Sequence, residues 1–106
     1  MEKDKVLRLL GLATKAGKIA FGTDSVIETI NKNKAKLVIV AEDASERTKT
    51  NIQNEANKKN IQVRIYSNIE AISKNIGKDN KAVICIKDEN FSKEMLKLID
   101  GGEAIG

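Results

Sequence analysis

The residues able to do acid–base or nucleophilic chemistry are few. No histidine occurs in the chain, which removes the commonest general base and the commonest metal ligand. The single cysteine, Cys85, lies inside the apolar run VICI. A nucleophilic thiolate needs an electropositive, accessible setting, so this thiol reads as core. Two carboxylate pairs follow apolar runs: Glu42 with Asp43, and Asp88 with Glu89. At the strand ends of an open α/β sheet such pairs could gather Mg²⁺ or act as acid and base. The competing reading, turn residues and helix-start acids beside a helix dipole, is the favoured one. No base or nucleophile accompanies the four carboxylates. The stretch Gly11 to Lys18, GLATKAGK, has five residues between its glycines, and Ile19 follows the lysine. A phosphate-binding loop needs four, then Ser or Thr after Lys. No enzyme activity, metal, cofactor or small-molecule substrate is therefore expected.

Binding chemistry is better represented. Lysine and arginine number 19 against 15 acids, a formal net charge of +4. That balance suits an anionic partner. Lys32, Lys34 and Lys36 crowd one segment, Lys78 and Lys81 another. Thr23, Asp24, Ser25 and Asn80 add polar groups of the kind that read nucleic acid. Lysines attract phosphate without specifying sequence, and sequence-specific RNA recognition targets loops and bulges with accessible bases.

These groups must be positioned by a small scaffold. At 106 residues the chain is sized for one domain, and with aromatics at 3% its core must be built from Ile, Val and Leu. No long apolar segment reads as a membrane span, and MEKDKVLRLL lacks the apolar region of a signal peptide. One cysteine cannot form an internal disulfide; together these point to a cytoplasmic address.

The stretch Lys18 to Ser45 organises the rest. Ile19, Ala20 and Phe21 form a short apolar run stopped by Gly22. Thr23, Asp24 and Ser25 supply helix-start chemistry, and Ser25 with Glu28 has capping-box spacing. Val26, Ile27 and Ile30 give that helix an apolar stripe. Leu37 to Ala41 reads as a strand covered on both faces. A helix starting at Gly22 would leave unpaired N–H groups facing outward, able to meet an anion or a base edge.

Around this stretch, Glu2 to Ala16 reads as an amphipathic helix closed by Gly17. Ser45 opens a third helix with a thin stripe at Thr48, Ile52 and Ala56. Ile61 to Tyr66 alternates as a half-buried or edge strand. Ser67 with Glu70 repeats the capping-box spacing before Ile69, Ile72 and Ile76, and Gly77 ends that helix. Ala82 to Ile86 is a second fully apolar strand. A last helix buries Phe91, Met95 and Leu98, and Gly101 and Gly102 begin a loose tail. The alternation predicts an α/β domain with helices on both faces of a small mixed sheet.

The run AGKIAFGTDSVIETINKNKAKLVIVAEDASERTKTNI, and the later ISKNIGKDNKAVICIKDENFSKEM, resemble the ribosomal-protein superfamily often called L-seven-Ae / L-thirty-e. Many of its members bind kink-turn RNA. The match is closest to its small bacterial YlxQ-like branch and covers nearly the whole chain. The resemblance implies a three-layer α-β-α sandwich around a mixed four-stranded sheet, as a single RNA-binding domain over 1–106.

It also implies a site. In kink-turn binders a Gly turn and the following helix start meet tandem sheared G·A pairs through the pattern Gly-x-Asn-Glu-x-x-Lys. Gly22, Thr23, Asp24, Ser25 and Glu28 occupy the matching positions, with Asp24 for Asn, Ser25 for Glu and Glu28 for Lys. Lys32 supplies a basic group one turn on. The loop before the last strand carries a basic group and cradles a flipped-out nucleotide; Lys81 fits that group, with Ala82, Val83 and Ile84 as apolar wall. Lys32 and Lys36 would hold phosphates, while the loop from Lys78 to Ile84 holds the displaced base. The function so implied is non-catalytic binding of structured RNA, such as a kink-turn or a related internal loop, ribosomal RNA being one candidate, by a monomer. A protein-interaction module on the same fold is the alternative, drawn from Asp24 and Glu28. An enzyme holding a metal between Asp43 and Asp88 is the third.

Overall fold

A computed structural model describes residues 4–105. Among them run, in order, α1 (Lys5–Lys15), β1 (Ile19–Phe21), α2 (Thr23–Asn31), β2 (Leu37–Val40), α3 (Glu46–Lys58), β3 (Gln62–Ile65), α4 (Ile69–Ile76), β4 (Val83–Ile86) and α5 (Glu89–Asp100). The strands form one mixed sheet in the order β1-β4-β2-β3. β4 is antiparallel to both β1 and β2, and β2 is parallel to β3.

The two central strands, β2 and β4, are buried along their whole length. This is why LVIV and VICI show no polar alternation: each face meets a helical layer. α2 and α3 pack together on one side, α2 over β1 and β4, α3 over β3. α1 packs on α4 and α5 to form the other layer, with α5 over β4. The three-layer α-β-α sandwich is as the sequence implied. The core is aliphatic, from Val6 and Leu10 through Ile52 and Ile72 to Met95. Phe21, Tyr66 and Phe91 are only half-buried at its margin. Among the described residues no helix is long and apolar enough to cross a membrane.

Several local expectations are corrected. α1 begins at Lys5, because the Asp4 carboxylate accepts from the Leu7 N–H at 3.0 Å and fixes the start there. Glu2, expected to begin this helix, lies outside the described residues. Neither capping box forms. α2 starts at Thr23, so Ser25 sits inside its first turn and Glu28 turns forward to Lys32. In α4 the cap is Asn68, which accepts from Ala71 N–H at 2.8 Å, while Ser67 takes a positive φ of 62° to reverse the chain. β3 lies at the sheet edge, yet Ile65 is 47% exposed, so its alternation does not mark a buried face. The tail is not loose: Ala104 is buried, its carbonyl accepts from Lys5 N–H, and Ile105 bridges to Asp4.

Antiparallel pairing also separates the acids. Val40 lies opposite Val83 and Leu37 opposite Ile86. Glu42 and Asp43 therefore leave one end of the sheet, and Asp88 and Glu89 the other, about 10 Å away at strand rise. Asp88 caps α5 and Asp43 accepts from Ile69 N–H at 2.8 Å. Both are helix-start acids.

Candidate nucleic-acid interface

Phe21 pairs with Ile84, and the Gly22 N–H donates to the Val83 carbonyl at 2.9 Å. The turn after β1 and the loop before β4 are thereby held side by side at one end of the sheet. Gly22 turns with φ 89° and ψ 147° and passes directly into α2. Its carbonyl accepts the first intrahelical bond, from Val26 N–H at 2.9 Å. The amides of Thr23, Asp24 and Ser25 precede that bond, and glycine has no side chain with which to cap them. Among the described residues the other four helices are each capped by a side chain, from Asp4, Ser45, Asn68 and Asp88. Asp24 and Ser25 are exposed; Gly22 and Thr23 are half-buried.

The facing loop is fixed from below. Ser73, 4% exposed on α4, accepts through Oγ from Lys81 N–H at 2.8 Å. Its own carbonyl accepts from Lys78 N–H at 2.9 Å. Gly77 and Asn80, with φ of 70° and 53°, make the bends between. The ammonium groups of Lys78 and Lys81 lie 5.1 and 5.5 Å from the centre of the Phe21 ring. The result is a run of free amide donors beside two cations, a combination suited to phosphate oxygens and to acceptor edges of bases.

Not every sequence-selected residue lies there. Lys32 caps the far end of α2, about 15 Å along the helix from Gly22. Its Nζ pairs with Glu28 Oε1 at 2.7 Å, and that bond and charge hold the Glu28 carboxyl below the usual range. Glu28 thus presents a pair rather than a bare anion. Lys36 N–H donates to the Ile86 carbonyl, which puts Lys36 at the opposite end of the sheet from Gly22. Val83 and Ile84 are fully buried, so of the three wall residues only Ala82 keeps exposed surface. Cys85 is fully buried as well, and burial pushes its thiol pKa up, away from nucleophilic use.

Two residues of the surface were not singled out from sequence. Phe21 reads as one more apolar residue of β1, and Ser73 as a polar interruption of α4. The signal for Phe21 was available in its type, since an aromatic ring at a strand end beside a glycine turn can meet cations. Ser73 gave none, because its partner is set by where the loop returns.

The sequence pattern described as the ribosomal protein L7Ae/L30e/S12e/Gadd45 family matches residues 4–96. The RNA-binding protein YlxQ of Bacillus subtilis (strain 168) is 33% identical over 92 residues, covering 87% of this chain and 92% of that protein. The RNA-binding protein YlxQ of Enterococcus faecium is 38% identical over 100 residues, covering 93% and 95%. A solved structure of a Bacillus halodurans C protein of unknown function superposes with a TM-score of 0.89 at 33% identity, over 92% of this chain and 99% of that one. The Giardia lamblia 15.5kD RNA binding protein shares the fold, with a TM-score of 0.78 at 18% identity over 92% and 86%.

Proposed function

Because the chain belongs to the non-enzymatic ribosomal protein L7Ae/L30e/S12e/Gadd45 family, we propose that it is a monomeric, cytoplasmic RNA-binding protein that recognises structured RNA, a kink-turn or a related internal loop. The observation that carries this reading is the uncapped first turn of α2 lying against the loop of Lys78 and Lys81. The amides of Thr23, Asp24 and Ser25 donate to phosphate or base acceptors. The Asp24 carboxylate accepts from a guanine N–H edge, where an amide would also donate. Lys78 and Lys81 supply charge to the backbone that approaches, and Ala82 offers apolar surface to a displaced base. Lys32, by pairing with Glu28, mutes an anion that would otherwise face phosphate. Lys36 engages only RNA long enough to pass the other end of the sheet.

An electrophoretic mobility shift with a kink-turn RNA and a scrambled duplex of equal composition tests this. Preferential shift of the kink-turn is expected. Lys81→Glu weakens binding and shallows the salt slope by roughly one phosphate contact, on the order of 0.7–0.9 in the log–log plot. Equal affinity of wild type and Lys81→Glu for every RNA at all salts would refute the placement. The exposed carboxylate of Asp24 favours the protein-adaptor reading. That reading would take over if a pull-down recovered a protein partner after nuclease treatment and no RNA before it.

A further inference from the structure

Phe21 stands apart from the rest of the apolar set. The largest fully buried side chains are aliphatic or methionine, whereas the Phe21 ring packs only partly buried against the margin of that core. Beside that packing, the ring gathers cations. Lys78 Nζ lies 5.1 Å and Lys81 Nζ 5.5 Å from its centroid, both inside the ~6 Å over which an aromatic face attracts an ammonium group. One ring thus serves both ammonium groups. Neither lysine has a carboxylate partner among the ion pairs of the described residues. A lysine left in water samples many rotamers and loses that freedom when it docks on a ligand. Docking on Phe21 removes part of that freedom in advance.

From these contacts we infer that Phe21 is a positioning residue of the interface: its ring holds the Lys78 and Lys81 ammonium groups beside the Gly22 turn before an RNA phosphate arrives. The inference rests on the reading of this surface as the RNA site. The ring acts through the lysines and need not touch RNA. Leucine in its place would fill most of that space and leave both lysines without a ring to dock on.

The test uses the full chain, with Phe21→Leu and Phe21→Tyr beside wild type, and has two readouts. In the free protein, carbon–proton NMR reports ring-current displacement of the Lys78 and Lys81 side-chain methylene protons. The displacement is expected in wild type and Phe21→Tyr and absent in Phe21→Leu. With kink-turn RNA, Phe21→Leu should weaken binding about threefold to tenfold, and Phe21→Tyr should stay within about twofold of wild type. The salt slope of Phe21→Leu should match wild type, since both charges remain, which separates it from Lys81→Glu. Absence of ring-current displacement in wild type overturns the inference. So does unchanged affinity of Phe21→Leu where Lys81→Glu does weaken binding, an outcome that leaves the RNA site standing. If neither substitution alters affinity, the site reading falls and takes this inference with it.

Discussion

A backbone at φ 89° and ψ 147° is open to glycine and closed to nearly every other residue. Gly22 adopts it between the last residue of β1 and the first of α2, and so lets a strand become a helix with no capping side chain in the way. A Cβ built there meets no heavy atom within 4 Å. The cost of Gly22→Ala is therefore conformational rather than steric. It should lower the unfolding free energy by roughly 1–3 kcal/mol, the range for a residue forced into a sparsely populated region. Urea denaturation measures this directly. A variant as stable as wild type would mean that the turn relaxes to a negative φ without loss.

The α4 helix and the loop that follows it form the second half of the candidate interface, and their joint is Ser73. Its hydroxyl is the acceptor for Lys81 N–H and lies beneath the loop, out of solvent. Ser73→Ala leaves that amide without a partner in a poorly hydrated position, which costs on the order of 1–3 kcal/mol. Denaturation should register the loss, and hydrogen exchange should show faster exchange at Lys81 while β4 amides stay protected. Unchanged exchange at Lys81 would show that another acceptor replaces the hydroxyl. At this scale the sequence was largely readable. The apolar runs at Leu37 and Ala82 announce the two central strands, and the stripes at Val26 and Ile72 announce their helices, because both signals are local periodicities. The capping boxes misled for the opposite reason. Where α2 and α4 begin is decided by chain reversals at Gly22 and Ser67, whose positive φ values answer to the sheet and not to residue spacing. The grouping of residues at the candidate site was half legible on the same grounds. Gly22 to Ser25 is one contiguous stretch, whereas the choice of Lys78 and Lys81 over Lys32 and Lys36 depends on which end of β4 lies beside β1.

Strand order decides that choice for the molecule as a whole: with β4 antiparallel between β1 and β2, one end of the sheet collects the Gly22 turn and the Lys81 loop, and the other collects Lys36 and Asp88. The exposed edge, β3, is tied to the helical layer by two distant side-chain pairs. Arg64 forms a two-pronged pair with Asp100 of α5, at 2.8 and 2.9 Å. Tyr66 Oη donates to Asp4 Oδ2 at 2.7 Å, so Asp4 caps α1 with one oxygen and holds the edge of the sheet with the other. Burial, then the Asp4 hydrogen bond, then the charges of Asp4 and Glu42 push the Tyr66 hydroxyl pKa above its ordinary value of 10.0. The folded state thus keeps this proton at pH values where the unfolded chain releases it. Its contribution to stability is whole below about pH 10 and is lost progressively as the pH rises beyond that. Tyr66→Phe removes both the hydrogen bond and the titration. At pH 7 the variant should be less stable by about 0.5–1.5 kcal/mol. Above pH 10 wild type alone pays the ionisation penalty, so the gap between the two should narrow and then close. Urea melts of the pair at intervals from neutral pH to about pH 11.5, spanning the ordinary tyrosine range, check this, and a gap that stays constant across the series would show that Tyr66 ionises in the folded protein as it does in the unfolded chain.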